Sequence, residues 1–362
     1  MVIYISFLLV ILLLMIYAQF KGMKALSTKN YYLDSEQGGN DSLNKSSFLY
    51  YISVLIVFFL SAVRYGVGWD YWAYFETISY GRSTNIINNG ETLTILIIEL
   101  AKFFKQPQLY FIVNSIICVF LIANTSKRYS IDMWLSFIFF VTFPLFFLNS
   151  LSVVRNFTAI ALTFYGVKYL VDKKILKYFL IVIIASLFHK SALLALIFYF
   201  IRNLNLKTYK IIIVVLFIPI IGKLSNLFVS KFFSSYSVYL QETSIQEGTK
   251  AIFVFLLIAI ASVLFKRKLF LLNDRNRIYF NNFFVGISIY LMFFEYGTMG
   301  HRLSLYGTIY SILLLPEIIH LFNKRDRILI KSLVYLFCTI MFLYTVKIGS
   351  ETYIPYDVFF NK

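Results

Sequence analysis

The chain has few of the residues that build metal sites, disulfides and charged surfaces. It contains two cysteines and three histidines in 362 residues, and only 14% of its residues are charged. Cys118 and Cys338 lie inside apolar segments without the spacing of a metal or redox site, so we expect buried thiols. His189, His301 and His320 also lack the spacing of metal ligands, and no Asp-x-Asp pair is present to hold the divalent ion of a nucleotide-sugar enzyme. The sequence therefore predicts no metal site.

Motifs of common soluble enzymes are missing as well. Nothing in the chain resembles a Walker loop, a dinucleotide-binding fingerprint or the ordered Ser, His and Asp of a hydrolase. Chemistry that depends on ATP or on a nucleotide donor is therefore not indicated, and we expect no cofactor.

What the chain has instead is apolar sequence. Hydrophobic residues make up 60% of it, and the mean hydropathy is +0.76. A water-soluble domain of this size does not have that composition, so we predict an all-α polytopic integral membrane protein. The net charge is +17, but the Lys and Arg residues lie in short clusters between apolar runs. This arrangement is typical of membrane topology and does not indicate a nucleic-acid partner.

Thirteen apolar runs are candidate membrane spans by their length. They cover residues 2–20, 48–63, 91–104, 108–124, 131–148, 152–171, 177–188, 191–201, 211–229, 251–265, 278–296, 303–321 and 328–347. If all of them crossed the bilayer, three basic loops would face outward. The run 91–104 is short and carries Glu91, Glu99 and Lys102. We interpret it as a helix that lies in or re-enters the outer interface, which returns the basic loops to the inside.

The predicted topology is a single domain over residues 1–362 with about twelve transmembrane helices and both termini outside the cytoplasm. Its inner segments carry 22 of the 34 Lys and Arg residues, which supports this orientation. Its long outer loops are 64–107 and 230–250. Two interpretations of residues 177–201 stay open: a hairpin that turns at His189 and returns to the cytoplasmic side, or one continuous helix.

The stretch "RYGVGWDYWAYF", Arg64 to Phe75, faces outward on this topology. Arg64 ends a predicted span, and Asp70 and Tyr74 follow it. One interpretation is an arginine that snorkels to the headgroups among interfacial Trp and Tyr residues. The other is a substrate site, because charged groups at membrane depth usually mark one.

Three more basic residues stand at the outer ends of predicted spans. Each has polar neighbours in the chain: Arg155 is followed by Asn156, His189 by Lys190 and Ser191, and Arg302 by Tyr306 one turn later. Glu295 precedes Arg302. Taken singly, each has an ordinary explanation, such as an interfacial histidine or a snorkelling arginine. Taken together, several cations that converge on one outer cleft would suit a phosphate or pyrophosphate.

The order of these motifs resembles the EpsG/Wzy-like family of bacterial polysaccharide polymerases. The opening stretch resembles that family's Arg…Gly-x-Asp…Tyr signature, and "VVRNFTAIAL" with the later "FHKSAL" resembles its central block. "HRLSLYGTIYSILLLPEI" is similar to its late Arg…Tyr…Pro segment, and "YIPYDVFF" is similar to its C-terminal Pro-Tyr motif. "NGETLTILIIELAK" stands where the family has a helix led by Glu, here Glu91, although Thr92 and Leu93 depart from the family pattern. Asn156 stands where the family usually has Gln.

The resemblance implies a GT-C-like membrane glycosyltransferase in the bacterial cytoplasmic membrane, with its active site facing the periplasm or cell exterior. It would be a polymerase that joins undecaprenyl-pyrophosphate-linked oligosaccharide repeat units by inverting glycosyl transfer, in the synthesis of an O-antigen or exopolysaccharide. The implied partners are these lipid-linked oligosaccharides, the bilayer, a chain-length regulator and a flippase.

Such a reaction needs cations for the charge that develops on the departing pyrophosphate and a base for the acceptor hydroxyl. The candidates for pyrophosphate or substrate binding are Arg64, Arg155, Arg302, His189, Lys190, Asn156, Tyr74 and Tyr306. The candidate bases are Asp70 first, then Glu295 and Glu91.

Two other functions fit a polytopic protein with arginines in a cavity. A lipid-linked oligosaccharide flippase or other transporter would show repeat symmetry or polar groups at mid-membrane, whereas the polar groups here cluster at the outer ends. A membrane acyltransferase would need a histidine deep in a span that faces a cytosolic donor, and only His320 lies inward.

Overall fold

The computed structural model describes residues 1–29, 36–81, 91–205, 207–210, 213–214, 216–218, 220–223, 249–294 and 297–361. The predicted base Glu295 and most of the predicted outer loop 230–250 lie outside these residues. So do residues 82–90 of the other outer loop.

Helices form nearly all the regular structure of the described residues, which confirms the all-α class. In chain order they are α1 (Val2–Lys29), α2 (Glu36–Ala62), α3 (Tyr71–Tyr80), α4 (Thr92–Phe103), α5 (Gln108–Tyr129), α6 (Met133–Thr142), α7 (Phe147–Ser152), α8 (Val154–Tyr165), α9 (Val167–Val171), α10 (Ile175–Ser186), α11 (Ile197–Ile201), α12 (Thr249–Leu264), α13 (Lys266–Leu272), α14 (Asn276–Met292), α15 (Gly297–Thr308), α16 (Ser311–His320), α17 (Lys324–Ile348) and α18 (Ser350–Tyr353). Two 3₁₀ helices cover Lys190–Leu196 and Phe359–Asn361. Two short strands, β1 (Arg64–Tyr65) and β2 (Asp357–Val358), pair antiparallel.

Three of the described helices are long and apolar enough to cross a bilayer. These stretches are Val2–Gln19, Gln108–Tyr129 and Lys324–Ile348, and a fourth span results if the bent pair α15–α16 is counted as one. Other apolar helices are shorter, with 10 to 17 residues. The chain is therefore a helical membrane protein, in which several of the predicted spans are divided into short helices.

The predicted span 131–148 shows why such divisions occur. Helix α6 ends at Thr142, and Phe143 takes an extended conformation (φ −77°, ψ 120°) directly before Pro144. Proline disfavours the helical conformation in the residue before it, which accounts for the end of the helix at this position. A new short helix, α7, begins at Phe147. This run is thus two helices and not one continuous span.

Helices α14 and α15 pack with their backbones in direct contact. A Cβ atom at Gly286 would clash with the main chain of Gly307 and Thr308, and one at Gly307 would clash with the carbonyl of Asn282. Small residues of this kind let membrane helices approach closely. After Thr308 the chain bends by 48° into α16. The close packing fixes the height of α15, which carries Arg302 and Tyr306 of the predicted site.

Residues 175–201 form a hairpin, which decides between the two predicted alternatives. Helix α10 runs to Ser186, and the following 3₁₀ helix and α11 return alongside it. The Tyr178 hydroxyl donates to the carbonyl of Ala195 at 2.8 Å, and the Tyr199 hydroxyl donates to the carbonyl of Lys173 at 2.9 Å. His189 lies at the turn in an extended conformation (φ −154°, ψ 120°). One continuous helix would hold residues 178 and 195 more than 20 Å apart.

The C-terminal segment returns to the residues that precede the predicted site. In addition to the β1–β2 pairing, the amide of Phe359 donates to the carbonyl of Val63 at 3.1 Å. The Tyr356 hydroxyl donates to the carbonyl of Leu60. The Tyr4 hydroxyl, from α1, donates to the carbonyl of Tyr353 at 3.0 Å. The end of α2 and the chain that follows it are therefore held by both ends of the described sequence.

Candidate active site

Arg64 is buried, and its guanidinium binds main-chain carbonyls. Its Nε donates to the carbonyl of Val67 at 3.1 Å, and its two terminal nitrogens donate to the carbonyls of Ser61 and Leu151. The guanidinium also lies 4.9 Å from the centre of the Phe111 ring. Ser61 and Leu151 are close to the C-terminal ends of α2 and α7, where helix carbonyls lack partners and the helix dipole favours a cation. Arg64 therefore joins two helix ends to the loop that follows it.

That loop holds Asp70 in a fixed place. Gly68 has φ +105°, a conformation that favours glycine, and a Cβ there would clash with the carbonyl of Leu151. The Gly68 amide donates to the carbonyl of Thr352 at 3.1 Å, and the Asp70 amide donates to the carbonyl of Ser152 at 3.3 Å. The glycine of the "GWD" sequence is thus required by close backbone packing, and it places the next acid against the end of α7.

Glu91 is the centre of a buried ionic cluster. Its side chain is 3% exposed; one carboxylate oxygen is paired with Arg155, and the other accepts from Nδ1 of His189 at 2.7 Å. The backbone amide of Lys190 also donates to that second oxygen at 3.3 Å. Burial acts to raise the pKa of Glu91, but the His189 hydrogen bond and the Arg155 charge outweigh it, so the pKa lies below its usual value. Glu91 is therefore a carboxylate with both oxygens occupied.

Helix α4 brings Glu91 to this position because its first turn docks on the hairpin. The amide of Leu93 donates to the carbonyl of Leu187 at 3.0 Å, and the Thr94 hydroxyl donates to the carbonyl of Phe188 at 3.0 Å. The Leu93 amide and the Leu187 carbonyl are groups that the ends of helices otherwise leave without partners. The carboxylate of Glu91, directly before the helix, then faces His189 at the turn.

A second, neutral network lies beside the ionic one. The Tyr306 hydroxyl donates to Oδ1 of Asn156 at 2.9 Å and lies 3.0 Å from the Ser191 hydroxyl. The amide nitrogen of Asn156 donates to the carbonyl of Arg302 at 3.5 Å. This network joins α8, the hairpin turn and α15, and so connects the three segments that carry Arg155, His189 and Arg302.

Asp70 lies near the ionic cluster of Glu91 and the neutral network of Asn156 but is not hydrogen-bonded to either. It is partly buried, and its carboxylate accepts no hydrogen bond from any residue that the structure describes. Burial raises the pKa of Asp70 above its usual value, while the charges of Arg302, Arg155 and His189 act in the opposite direction. Asp70 is thus an acid with a raised pKa that lies within electrostatic reach of Arg302, Arg155 and His189.

Tyr74 closes the assembly on the side of α3. Its ring stacks on Tyr110 of α5 with centroids 4.4 Å apart, and both side chains are fully buried. Tyr110 carries no distinguishing signal in the sequence, because it is one of 28 tyrosines and lies within a predicted span. Only the stacking geometry distinguishes it.

The structure brings together most of the site residues that the sequence predicted. The assembled residues come from five segments and are Asp70, Tyr74, Glu91, Arg155, Asn156, His189, Lys190, Arg302 and Tyr306. The contacts of Arg64 are instead with main-chain carbonyls, the Ser61 hydroxyl and the Phe111 ring. Within the described residues, no group of three or more His, Cys, Asp or Glu side chains could hold a metal ion.

These contacts define what the assembly can do chemically. Cationic groups surround two carboxylates, of which one is neutralised by close pairing and the other is available. Such a site can bind an anion through the cations and accept a proton on the available carboxylate.

Comparison with protein families gives a match over most of the chain. The model described as "EpsG family" matches residues 47–358, a range that contains every residue of the assembly. No curated protein and no solved structure is significantly similar to the chain.

Proposed function

Because the chain belongs to the EpsG family, the family of Wzy-like exopolysaccharide and O-antigen polymerases, we propose that it polymerises lipid-linked oligosaccharide repeat units. The growing glycan on undecaprenyl pyrophosphate would be the donor, and the end sugar of a new lipid-linked unit would be the acceptor. The reaction would take place at the outer face of the bacterial cytoplasmic membrane. A twelve-span topology with both termini outside is part of this proposal, because it puts the assembly at that face.

The observation that carries the proposal is the unequal state of the two carboxylates among the cations. Glu91 has both oxygens paired and a lowered pKa, which makes it a weak base. Asp70 accepts no hydrogen bond from the described residues, and its pKa is raised. A general base is most effective when its pKa lies closer to the working pH. We therefore assign the base to Asp70 and a positioning role to Glu91.

The proposed step is a single displacement. The acceptor hydroxyl oxygen attacks the anomeric carbon from the face opposite the pyrophosphate, and its proton passes to Asp70. The bond between the anomeric carbon and the pyrophosphate oxygen breaks, and the lipid pyrophosphate leaves with the electron pair. The configuration at the anomeric carbon is inverted, as the predicted reaction requires.

The cations would take up the negative charge that appears on the leaving group. Arg155 and Arg302 are the main candidates, because a guanidinium can bind two phosphate oxygens at once. His189 and Lys190 lie at the hairpin turn beside Arg155 and would add to the positive field. Preorganised charge of this kind is commonly the largest contribution to catalysis, and one such contact contributes on the order of 3 kcal/mol.

We assign Arg64 a different task from the one that the sequence suggested. Its guanidinium donates to three carbonyls that belong to α2, α7 and the Asp70 loop. A buried cation with these partners would orient the loop and hold the base in place. Its role in the reaction would therefore be indirect.

The decisive experiment is complementation of a host strain from which the gene has been deleted. The strain should display single repeat units on their final carrier, or accumulate lipid-linked units, and the wild-type gene should restore long chains. The Asp70→Asn variant should not restore long chains when it is present in the membrane in the same amount as the wild-type protein. Long chains of normal length in the deletion strain would disprove polymerase function. Repeat units that accumulate on the cytoplasmic leaflet would indicate a flippase instead.

A further inference from the structure

Helix α3 has two faces with different roles, and only the inner one belongs to the assembly described above. The inner face is buried and carries Tyr71, Tyr74, Thr77 and Ile78. The outer face begins one residue before Asp70 and carries Trp69, Trp72, Glu76 and Tyr80, spaced three to four residues apart. Trp69 is 66% exposed, Trp72 46% and Tyr80 69%. We call these four residues the aromatic stripe.

The two indole rings of the stripe are presented from a fixed backbone. The amide of Trp69 donates to the hydroxyl of Ser152 at 3.4 Å. The ring of Trp72 packs edge-on against Tyr65 (5.4 Å between centroids) and Phe75 (5.6 Å), and lies over Gly66. A ligand that stacks on these rings would not have to order the loop first, so little conformational entropy would be lost on binding.

The stripe flanks the proposed base in the chain. Asp70 lies between Trp69 and Trp72 in the chain, and its carboxylate faces the cations of the assembly. A sugar whose hydroxyl group reached Asp70 would have its neighbouring sugars beside these two rings. The position of the stripe therefore suits the chain of sugars that extends from the reacting residue.

Resting on the polymerase function proposed above, we propose that the aromatic stripe is the binding subsite for the acceptor oligosaccharide. The C–H face of a sugar ring is apolar and stacks on an indole, and the rim of hydroxyls needs polar partners. Glu76 lies between Trp72 and Tyr80 in the stripe. A membrane-interface belt also contains Trp and Tyr, so the alternative occupant of these rings is lipid.

Tryptophan fluorescence tests this proposal directly, because the chain has only three tryptophans. A protein with Trp72→Phe and Trp134→Phe leaves Trp69 as the single reporter. In liposomes, the soluble oligosaccharide of the host's repeat unit should change its emission in a saturable way. Lipids brominated on their acyl chains should quench it little. Strong quenching by brominated lipid, with no response to the oligosaccharide, would assign Trp69 to the membrane interface and overturn the proposal.

Activity measurements add an independent test in the otherwise wild-type protein. Trp69→Ala should raise the acceptor concentration needed for half-maximal polymerisation about tenfold, and Trp69→Phe should restore most of the loss, because stacking depends on an aromatic face. Phe103→Ala is the matched control, since Phe103 is a 79% exposed aromatic residue at the far end of α4. Wild-type acceptor dependence in Trp69→Ala, with Asp70→Asn inactive, would refute the subsite alone. Absence of polymerisation by the wild-type protein would refute the proposed function itself.

Discussion

Neutralising Glu91 should destabilise the protein strongly. Its carboxylate is the buried counter-ion of Arg155 and the hydrogen-bond partner of His189. The Glu91 side chain is 3% exposed and that of Arg155 16% exposed. Glu91→Gln keeps the shape of the side chain but leaves the guanidinium without its counter-charge. Breaking a buried ion pair from one side costs about 3–5 kcal/mol, and we expect the lower end of this range because Arg155 is slightly exposed. Arg155→Met should cost less, about 2 kcal/mol, because Glu91 keeps its bonds to His189 and the Lys190 amide.

A double-mutant cycle isolates the pair. The variant with both changes should lose about 2 kcal/mol less than the sum of the single losses, because neither charge is then left alone. Unfolding in mixed micelles with a rising fraction of denaturing detergent, followed by circular dichroism, gives the four free energies. Glu99→Gln is the control on the same helix: Glu99 pairs with Lys102 at 2.8 Å, but its side chain is 56% exposed. It should cost less than about 1 kcal/mol. Additive losses for the Glu91–Arg155 pair would refute the coupling and with it the structural role of Glu91.

Three further predictions follow from the fold and the assembly. Arg64→Lys should lower the yield of folded protein nearly as much as Arg64→Ala, because one ammonium cannot reach three separate carbonyls; a normal yield with lost polymerisation would instead make Arg64 a substrate ligand. The rate of reconstituted protein should fall on acidification at a higher pH than an ordinary aspartate would give, because the raised pKa of Asp70 means that the base takes up its proton earlier; an unchanged pH–rate profile in Asp70→Asn would exclude Asp70 as the base. Reporter fusions after residue 127 should read cytoplasmic and those after residue 240 extracytoplasmic, and the reverse pattern would move the assembly to the other face of the membrane.

The sequence predicted most of the residues that the structure brings together, but not how they pair. Composition and hydrophobic length predicted a helical membrane protein, and the motif order predicted that Asp70, Arg155, His189 and Arg302 would share a site. The central position of Glu91 was not foreseen, since it depends on the first turn of α4 docking on a hairpin turn far along the chain. Contacts of this kind depend on tertiary packing, which leaves no periodic signal in the chain.

Arg64 shows the same limit from the other side. In the sequence it is an arginine at the end of an apolar run, and such a residue is expected to bind either headgroups or a substrate. Its partners are backbone carbonyls, which every residue carries and no motif encodes. Span counting failed in a related way at Pro144: hydrophobicity continues through residues 131–148, but the helix does not. The proline was visible in the sequence, but a count of apolar residues does not take it into account.

The pairing of the C-terminal segment with the start of the Asp70 loop has a consequence for biogenesis. The amide of Gly68 and the carbonyl of Val63 find their partners in Thr352 and Phe359, which leave the ribosome after nearly all the helices have been inserted. Until then the loop has its bonds to Ser152 and to the Arg64 guanidinium but lacks the two bonds to the C-terminal segment. A nascent chain would therefore pass through the membrane-insertion machinery with this loop only partly anchored. A product truncated before residue 352 would lack both bonds permanently, so we expect it to be inserted with a less firmly held loop.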